Sequence, residues 1–211
     1  MMFSCKRPNN TMIKNLIFDF GKVLVDYDFE GFFQKYIPDD ERRKVFVPIL
    51  YNEELQCILD RELRPFDEVM EEIIENNKEY ESEIRLFCDR YPELITNEIP
   101  GMRELLTQLK GEGFKLYGLT NWCNKVYLTM REYEIFNLLD GYVISSDEKF
   151  IKPEPEIYRR LFDRFNLLPE ECLFTDDKEV NIEGGRRLGM DGIVFRNARQ
   201  YEQDLREKLK G

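Results

Sequence analysis

Asp19 is the first residue of the chain whose type and position could support a chemical reaction. It ends an apolar run in the stretch "NLIFDFGKVLVDYD", and Gly21 follows it two residues later. A carboxylate at the end of a buried strand can act as a nucleophile or bind a metal ion. An aspartate there also often caps a turn or a helix. The position of Asp19 alone therefore leaves both interpretations open.

Three more groups of polar residues follow apolar runs in the same way. They are Thr120 and Asn121 after "KLYGL", Lys152 on a predicted strand–helix loop before Pro153, and Asp176 and Asp177 after "CLFT". Each group alone could be a helix cap, a surface loop or a solvated pair of acids. Ligands of open parallel sheets bind beyond the carboxyl ends of the strands. The combination therefore predicts one shared ligand site.

Composition excludes several classes of function. The formal charge is -11, and the chain has no histidine. These values argue against a nucleic-acid partner, and they exclude triads and zinc sites that need imidazole. Phosphate can still bind if a divalent cation offsets the repulsion. No apolar run is long enough to span a membrane, so no membrane partner is expected. Five cysteines without a CxxC pair predict reduced thiols and a cytoplasmic location.

The predicted elements form two patterns. From Ile99 onward, continuous apolar strands alternate with amphipathic helices, which predicts a parallel sheet covered on both faces. Residues 30–98 show helical spacing and no convincing strand. We therefore predict an α/β fold. A Rossmann-like core of five strands would span 12–29 and 99–211, an all-helical cap would be inserted at 30–98, and 1–11 would be a disordered or frayed extension.

The motifs resemble those of a known family. The order "FDFG", "LTN", "KPEPEIY" and "DDKEVNIEGGRRLGM" is similar to that of the haloacid dehalogenase superfamily, in its phosphatase-rich branch with a helical cap after the first strand. The resemblance covers nearly all of the chain after Met12. Within that branch, the stretch from Asp19 to Asp28 resembles a group of bacterial sugar-phosphate phosphatases that includes alpha-D-glucose-1-phosphate phosphatase.

This resemblance implies a magnesium-dependent phosphatase acting on a small phosphorylated metabolite, with a sugar phosphate as the expected substrate. Asp19 would be the nucleophile that forms an aspartyl phosphate, assisted by Lys152. The implied phosphate ligands are Thr120, Asn121 and Lys152. The implied Mg²⁺ ligands are Asp19, the backbone of Gly21, and Asp177. Asp176 and Asn181 would support these ligands from a second layer.

Gly21 departs from the family pattern. Most phosphatases of the family carry an aspartate at this position, where it protonates the leaving oxygen. Three explanations remain open. The leaving group could need little help from an acid, or another residue, such as Asp26 or a residue of the cap, could take the place of the missing aspartate. The third is that phosphatase activity is weak or absent. If the acid is missing, Gly21→Asp is predicted to restore it.

Two rival functions also remain at this point. One is a 2-haloacid dehalogenase that uses the same aspartate without a metal, for which Arg42 or Arg43 could supply a halide pocket. The other is a non-catalytic binding protein that has kept the fold and lost the acid.

Overall fold

A computed structural model describes residues 12–210 of the chain, and the predicted extension at 1–11 lies outside these described residues. The strands in the described part are β1 (Asn15–Phe18), β2 (Val25–Tyr27), β3 (Ile95–Glu98), β4 (Lys115–Thr120), β5 (Gly141–Ile144), β6 (Cys172–Asp176) and β7 (Asp191–Val194). Five of them form one parallel sheet in the order β5-β4-β1-β6-β7. The predicted α/β fold with a five-stranded parallel sheet is confirmed.

Helices separate these strands. The α-helices of the described residues are α1 (Phe29–Tyr36), α2 (Asp40–Leu50), α3 (Glu53–Arg61), α4 (Phe66–Asn76), α5 (Glu81–Asp89), α6 (Met102–Gly111), α7 (Val126–Glu132), α8 (Ser145–Glu148), α9 (Pro155–Phe165), α10 (Glu179–Arg186) and α11 (Ala198–Lys208). From α6 onward, helices alternate with the strands of the sheet, as the pattern after Ile99 predicts.

The central strand β1 explains why the sheet is covered on both faces. All four of its residues are buried, and the side chains of its three apolar residues alternate between two apolar clusters. Leu16 and Phe18 belong to a cluster that includes residues of α6 and α11, whereas Ile17 packs with residues of α9 and α10. Side chains of successive strand residues point to opposite faces, so a strand with apolar residues on both faces requires a helical layer on each side.

Helices α1 to α5 lie between β2 and β3, which pair with each other in antiparallel fashion. The chain thus enters the helical stretch through β2 and leaves it through β3, and these two strands lie side by side. The structure adds these two strands to the prediction, and β3 occupies the last four residues of the stretch 30–98 that was expected to be all-helical. The side chains of Thr96 and Asn97 are exposed, so β3 lacks the continuous apolar run that marks the other strands.

Two further features bear on the expectations from composition. Within residues 12–210, none of the helices combines the length and the apolar character needed to cross a membrane. Cys57, Cys88, Cys123 and Cys172 are free thiols.

Candidate active site

The carboxyl edge of the sheet brings Asp19 next to the end of β6. β1 pairs with β6 so that Phe18 lies opposite Thr175, and the Asp19 N–H donates to the Thr175 carbonyl at 2.9 Å. Asp19 is therefore fixed one residue beyond the last buried position of β1. Asp176 ends the neighbouring strand, so the two carboxylates meet at the same edge because the strands are parallel.

Lys152 joins these two aspartates. Its Nζ lies 2.9 Å from Asp19 Oδ1 and 2.6 Å from Asp176 Oδ2, and it also donates to the Leu119 carbonyl at 3.0 Å. An ammonium has three N–H donors, and each has an acceptor here. Lys152 is 3 % exposed. Since the lysine is buried between two acids, its charge is balanced within the site rather than by solvent.

Burial governs the protonation of these groups. Loss of hydration raises the pKa of Asp19 to about 6, against the lowering effect of Lys152, and the charge of Asp176 adds to the increase. Burial alone would lower the pKa of Lys152, but the two carboxylates reverse this effect and raise it. The lysine is therefore the charged partner near neutral pH, and Asp19 is ionised above about pH 6.

Asp176 is saturated by donors of the protein itself. The Asn181 side-chain amide lies 3.0 Å from each of its oxygens, and the Lys178 N–H donates to Oδ1 at 2.8 Å. With Lys152 on Oδ2, this fully buried carboxylate has donors on both oxygens. Asp176 and Asn181 are therefore arranged to hold Lys152 and the start of α10, as expected of a supporting layer.

Three carboxylates could hold a cation. One oxygen from each of Asp19, Asp176 and Asp177 lies within 4.8 Å of the others. Burial and the neighbouring charge of Asp176 raise the pKa of Asp177. Hard carboxylate oxygens suit Mg²⁺, and repulsion between like charges at this distance favours a counter-cation. The donor set therefore fits the implied metal. Because Asp176 already has protein donors, Asp19 and Asp177 are the better candidates for direct ligands.

Thr120 and Asn121 lie at the end of β4. Thr120 is buried, and both residues line a cavity together with Asp19 and Lys152. The side chain of Asn121 is already paired with the backbone of Lys152: Oδ1 accepts its N–H at 2.7 Å, and Nδ2 donates to its carbonyl at 3.0 Å. This pairing fixes the Lys152 loop against β4. The Thr120 hydroxyl is thus better placed than the Asn121 amide to meet a ligand.

The cavity has a volume of about 190 Å³ and is lined from both parts of the fold. The sheet edge contributes Asp19, Gly21 and Lys152, with Lys178 and Asn181 from the segment after β6. The helical stretch and its flanking strands contribute mainly aromatic and apolar side chains. These are Tyr27, Phe29, Tyr51, Leu59, Phe87, Tyr91, Leu94 and Ile95. Gln56 and Asp60 of α3 are also in the lining. Asp177 lies beside the cavity and is not among its lining residues.

The space beside Gly21 is occupied by an aromatic ring. A Cβ added at Gly21 would lie 3.0 Å from Cε1 of Tyr27 and 4.0 Å from Cζ3 of Trp122. A contact of 3.0 Å is tighter than usual for a Cβ, so a side chain at position 21 requires the Tyr27 ring to shift by a few tenths of an ångström. The position where the family pattern has an acid is therefore crowded by this ring.

Asp26, one of the suggested substitutes for that acid, is directed elsewhere. Its Oδ1 pairs with Lys22 Nζ at 2.5 Å and accepts the Tyr27 N–H at 2.9 Å. The side chain is 44 % exposed, and Asp26 is not among the residues that line the cavity. The interpretation that Asp26 replaces the missing acid is thus not supported by its position.

Asp60 is the cavity residue that the sequence alone did not single out. It lies in α3, within an amphipathic pattern in which a polar residue is expected on the solvent side. Nothing in the spacing of α3 indicates how that helix sits over the sheet. Lys178 was missed because it follows the two aspartates, where a solvated lysine is ordinary.

Comparisons with known proteins point to one family. A family model described as haloacid dehalogenase-like hydrolase matches residues 13–189. A phosphorylated carbohydrates phosphatase of Thermotoga maritima is 27% identical over 191 residues, which cover 84% of this chain and 82% of the relative. A glyceraldehyde 3-phosphate phosphatase of Pyrococcus furiosus is 31% identical over 114 residues, which cover 53% of this chain and 47% of the relative. The chain spans about half the length of several such curated relatives.

A solved structure shares the fold. It is a family enzyme of Bacteroides thetaiotaomicron in complex with magnesium and inorganic phosphate, with a TM-score of 0.67 and 22% identity, covering 88% of this chain and 96% of that one. The predicted family resemblance is confirmed, because the family model covers most of the sequence. The chain belongs to the haloacid dehalogenase-like hydrolase family.

Proposed function

We propose that the chain is a magnesium-dependent phosphatase of a small phosphorylated metabolite, with a sugar phosphate as the expected class of substrate. One observation carries this proposal. Asp19 lines a cavity while its carboxylate is ion-paired to buried Lys152 and lies beside the carboxylate of Asp177. A nucleophile, a fixed positive charge and a pair of hard oxygen ligands are the groups that transfer of a phosphoryl group requires.

Asp19 acts first. Its carboxylate oxygen attacks phosphorus, the bond to the leaving oxygen breaks, and an aspartyl phosphate forms. Water then attacks the phosphorus and releases inorganic phosphate, which regenerates the carboxylate. Lys152 holds Asp19 in a single orientation and offsets negative charge at the attacking oxygen. The Thr120 hydroxyl and the backbone at Asn121 bind the phosphoryl oxygens.

Mg²⁺, bound by Asp19, Asp177 and the Gly21 carbonyl, would offset the repulsion between the carboxylate nucleophile and the phosphate dianion. Asp176 and Asn181 take part indirectly. They keep Lys152 in place beside Asp19.

The size and lining of the cavity support a small substrate. Its volume of about 190 Å³ is below the roughly 300–1,000 Å³ of pockets for drug-sized ligands. Aromatic side chains can pack against the C–H face of a sugar, and Gln56 and Asp60 can pair with hydroxyl groups. The names of two relatives, a phosphorylated carbohydrates phosphatase and a glyceraldehyde 3-phosphate phosphatase, point to the same class.

The dehalogenase alternative has less support. Arg42 pairs with Glu83 and the Glu79 carbonyl, and Arg43 pairs with Asp40 and the Ile37 carbonyl. Among the described residues that line the cavity there is no arginine. A halide leaving from this site would thus lack the guanidinium that the alternative needs.

The test compares the chain with its Asp19→Asn variant on a panel of phosphorylated metabolites in the presence of Mg²⁺. Phosphate release by the wild type and its loss in the variant are expected, because an amide cannot replace the carboxylate nucleophile. Thermal unfolding of both proteins checks that the fold is intact. Near-normal turnover by Asp19→Asn would overturn the mechanism. Absence of release by the wild type across the panel would favour a non-catalytic binding protein.

A further inference from the structure

Asp60 is the second carboxylate of the cavity. Within the described part of the chain, Asp19 and Asp60 are the carboxylate residues in the cavity lining, and Asp60 comes from the C-terminal end of α3. Among residues 12–210 its side-chain oxygens have no hydrogen-bond or ion-pair partner. The carboxyl of Asp60 is half-buried and opens onto the cavity, so it is placed to meet a bound ligand.

The backbone around Asp60 is held firmly to the sheet. The Ser145 hydroxyl donates to the Asp60 carbonyl at 2.6 Å and accepts the Trp122 N–H at 2.9 Å. Arg61 pairs with Glu154 at 2.5 Å, and Lys149 Nζ donates to the Glu62 carbonyl at 2.8 Å. Three consecutive residues at the end of α3, from Asp60 to Glu62, thus contact the segments that follow β4 and β5. This anchoring keeps the carboxyl of Asp60 in the cavity.

We propose that Asp60 is the general acid and base of the reaction, and that it replaces the aspartate absent at Gly21. This inference rests on the proposed phosphatase function. Position 21 is a glycine with the Tyr27 ring close beside it, so in this chain an acid would come from another element. Asp60 is the carboxyl that the helical stretch places in the same cavity as Asp19.

The environment of Asp60 suits this role. Burial raises its pKa to about 7, against the lowering effect of Lys178 and Lys152, and the charge of Asp19 adds to the increase. A group with a pKa near 7 can both donate and accept a proton at neutral pH. Tyr91 and Cys123, which also line the cavity, suit this role less, because burial raises the pKa of Tyr91 well above its usual value and that of Cys123 to about 11.

The proposed role conserves atoms and protons across both steps. As Asp19 bonds to phosphorus, the bond from phosphorus to the leaving oxygen breaks, and the Asp60 proton goes to that oxygen. The product is a neutral alcohol, and Asp60 is left as a carboxylate. In the second step Asp60 takes a proton from the attacking water, while the bond from phosphorus to Asp19 breaks. Both side chains then return to their initial states.

The test uses Asp60→Asn on two kinds of substrate in the presence of Mg²⁺. The variant is nearly isosteric, and the bond from Ser145 goes to the backbone, so the anchoring of α3 is retained. We expect kcat/KM for alkyl phosphates to fall by about 10²–10⁴-fold, the usual contribution of general acid catalysis. kcat/KM for p-nitrophenyl phosphate should change little, because this parameter reports the steps up to departure of the leaving group, which leaves as a stable anion. kcat should fall for both esters where the second step limits turnover, since Asp60 acts as the base in that shared step. Asp60→Glu, which keeps a proton, should recover part of the alkyl rate.

The control is Asp26→Asn, which removes the rival carboxyl outside the cavity and should not discriminate between the two kinds of ester. An equal loss of kcat/KM on both kinds in Asp60→Asn, or no loss of kcat/KM on either, would overturn the role of Asp60. If Asp60→Asn does not fold, Asp60→Glu provides the same comparison of the two esters, and a steep dependence of the wild-type kcat/KM on the leaving group would overturn the proposal, because no acid would then assist departure. Failure of the proposed function itself looks different, because the wild type would then hydrolyse neither kind of ester.

Discussion

Gly21 and Tyr27 determine which acid the site can use. From the sequence, Gly21→Asp was predicted to restore a general acid. The structure adds a steric condition, since the new Cβ would lie 3.0 Å from the Tyr27 ring. Tyr27 itself lines the cavity and packs edge-on against Phe29, with ring centroids 5.5 Å apart. The glycine and the tyrosine therefore form a matched pair, and changing one alone disturbs the pocket.

This pairing gives a prediction in the Asp60→Asn background, where the proposed acid is absent. Adding Gly21→Asp alone should not restore hydrolysis of alkyl phosphates, because the Tyr27 ring blocks the new side chain. Adding Gly21→Asp together with Tyr27→Ala should raise the rate by about tenfold or more, which is part of the roughly 10²–10⁴-fold that a well-positioned acid supplies. The comparison is with Asp60→Asn carrying Tyr27→Ala alone. Recovery with Gly21→Asp alone would show that the ring is no obstacle.

The residues of the sheet edge could be predicted from the sequence, whereas Asp60 could not. Asp19, Thr120 and Asp176 each follow an apolar run, and parallel strands bring such positions together. Asp60 lies in a helix, and its distance from Asp19 along the chain carries no information about their distance in space. Its place depends on how α3 packs against the loops of the core, which no local pattern records.

At the scale of elements, α3 and the loops after β4 and β5 are joined through Ser145. This residue is fully buried, and its hydroxyl connects the Asp60 carbonyl to the Trp122 N–H. Trp122 Nε1 in turn donates to the Tyr91 hydroxyl at 3.0 Å. The contacts therefore run from the end of β4 through one serine to the helix that carries the proposed acid.

Ser145→Ala should destabilise the protein and slow the reaction. Two buried backbone groups lose a partner, and an unsatisfied buried group costs about 1–3 kcal/mol. We expect a lower free energy of unfolding in urea and a larger loss of rate for alkyl phosphates than for p-nitrophenyl phosphate. The matched control is Ser146→Ala. Ser146 is also buried, but its hydroxyl has no hydrogen-bond partner in the described structure, so its removal should cost less. Equal effects of the two substitutions would contradict the role of Ser145.

The elements themselves were predictable where their patterns were strong. The five strands of the sheet are almost wholly apolar, and the helices after Ile99 have clear apolar faces. β2 and β3 were missed because each is only three or four residues long and partly exposed. Their pairing joins residues about 70 positions apart, Val25 with Glu98, and depends on the helices between them.

For the whole molecule, the cluster of carboxylates at the sheet edge opposes folding. The pKa of Asp19 is raised from 3.8 to about 6, and that of Asp177 is also raised. A raised pKa means that the folded protein binds the carboxyl proton more tightly than the unfolded chain does. Protonation therefore stabilises the fold fully below the pKa of the unfolded chain, and this stabilisation is lost as the pH rises through the pKa of the folded protein. Between pH 3.8 and about 6 Asp19 therefore makes the folded state less stable as the pH increases, and the raised pKa of Asp177 acts in the same direction.

A cation bound to the same carboxylates should reverse this cost, and Asp177→Asn provides the test. In wild type at pH 7.5, free Mg²⁺ at about 100 times its Kd should stabilise the fold by about 2.7 kcal/mol, which raises Tm by roughly 5–10 °C for a chain of this length. In Asp177→Asn most of this shift should disappear, because one of the two proposed ligands is gone. Without Mg²⁺ the variant should unfold at the same temperature as wild type or higher, because it lacks one of three crowded negative charges.

Asp163→Asn, a change of the same charge at an exposed position of α9, controls for net charge, and it should leave both the Mg²⁺ shift and the metal-free Tm nearly unchanged. A full Mg²⁺ shift in Asp177→Asn, or a metal-free Tm well below that of wild type, would mean that Asp177 supports the fold rather than the cation.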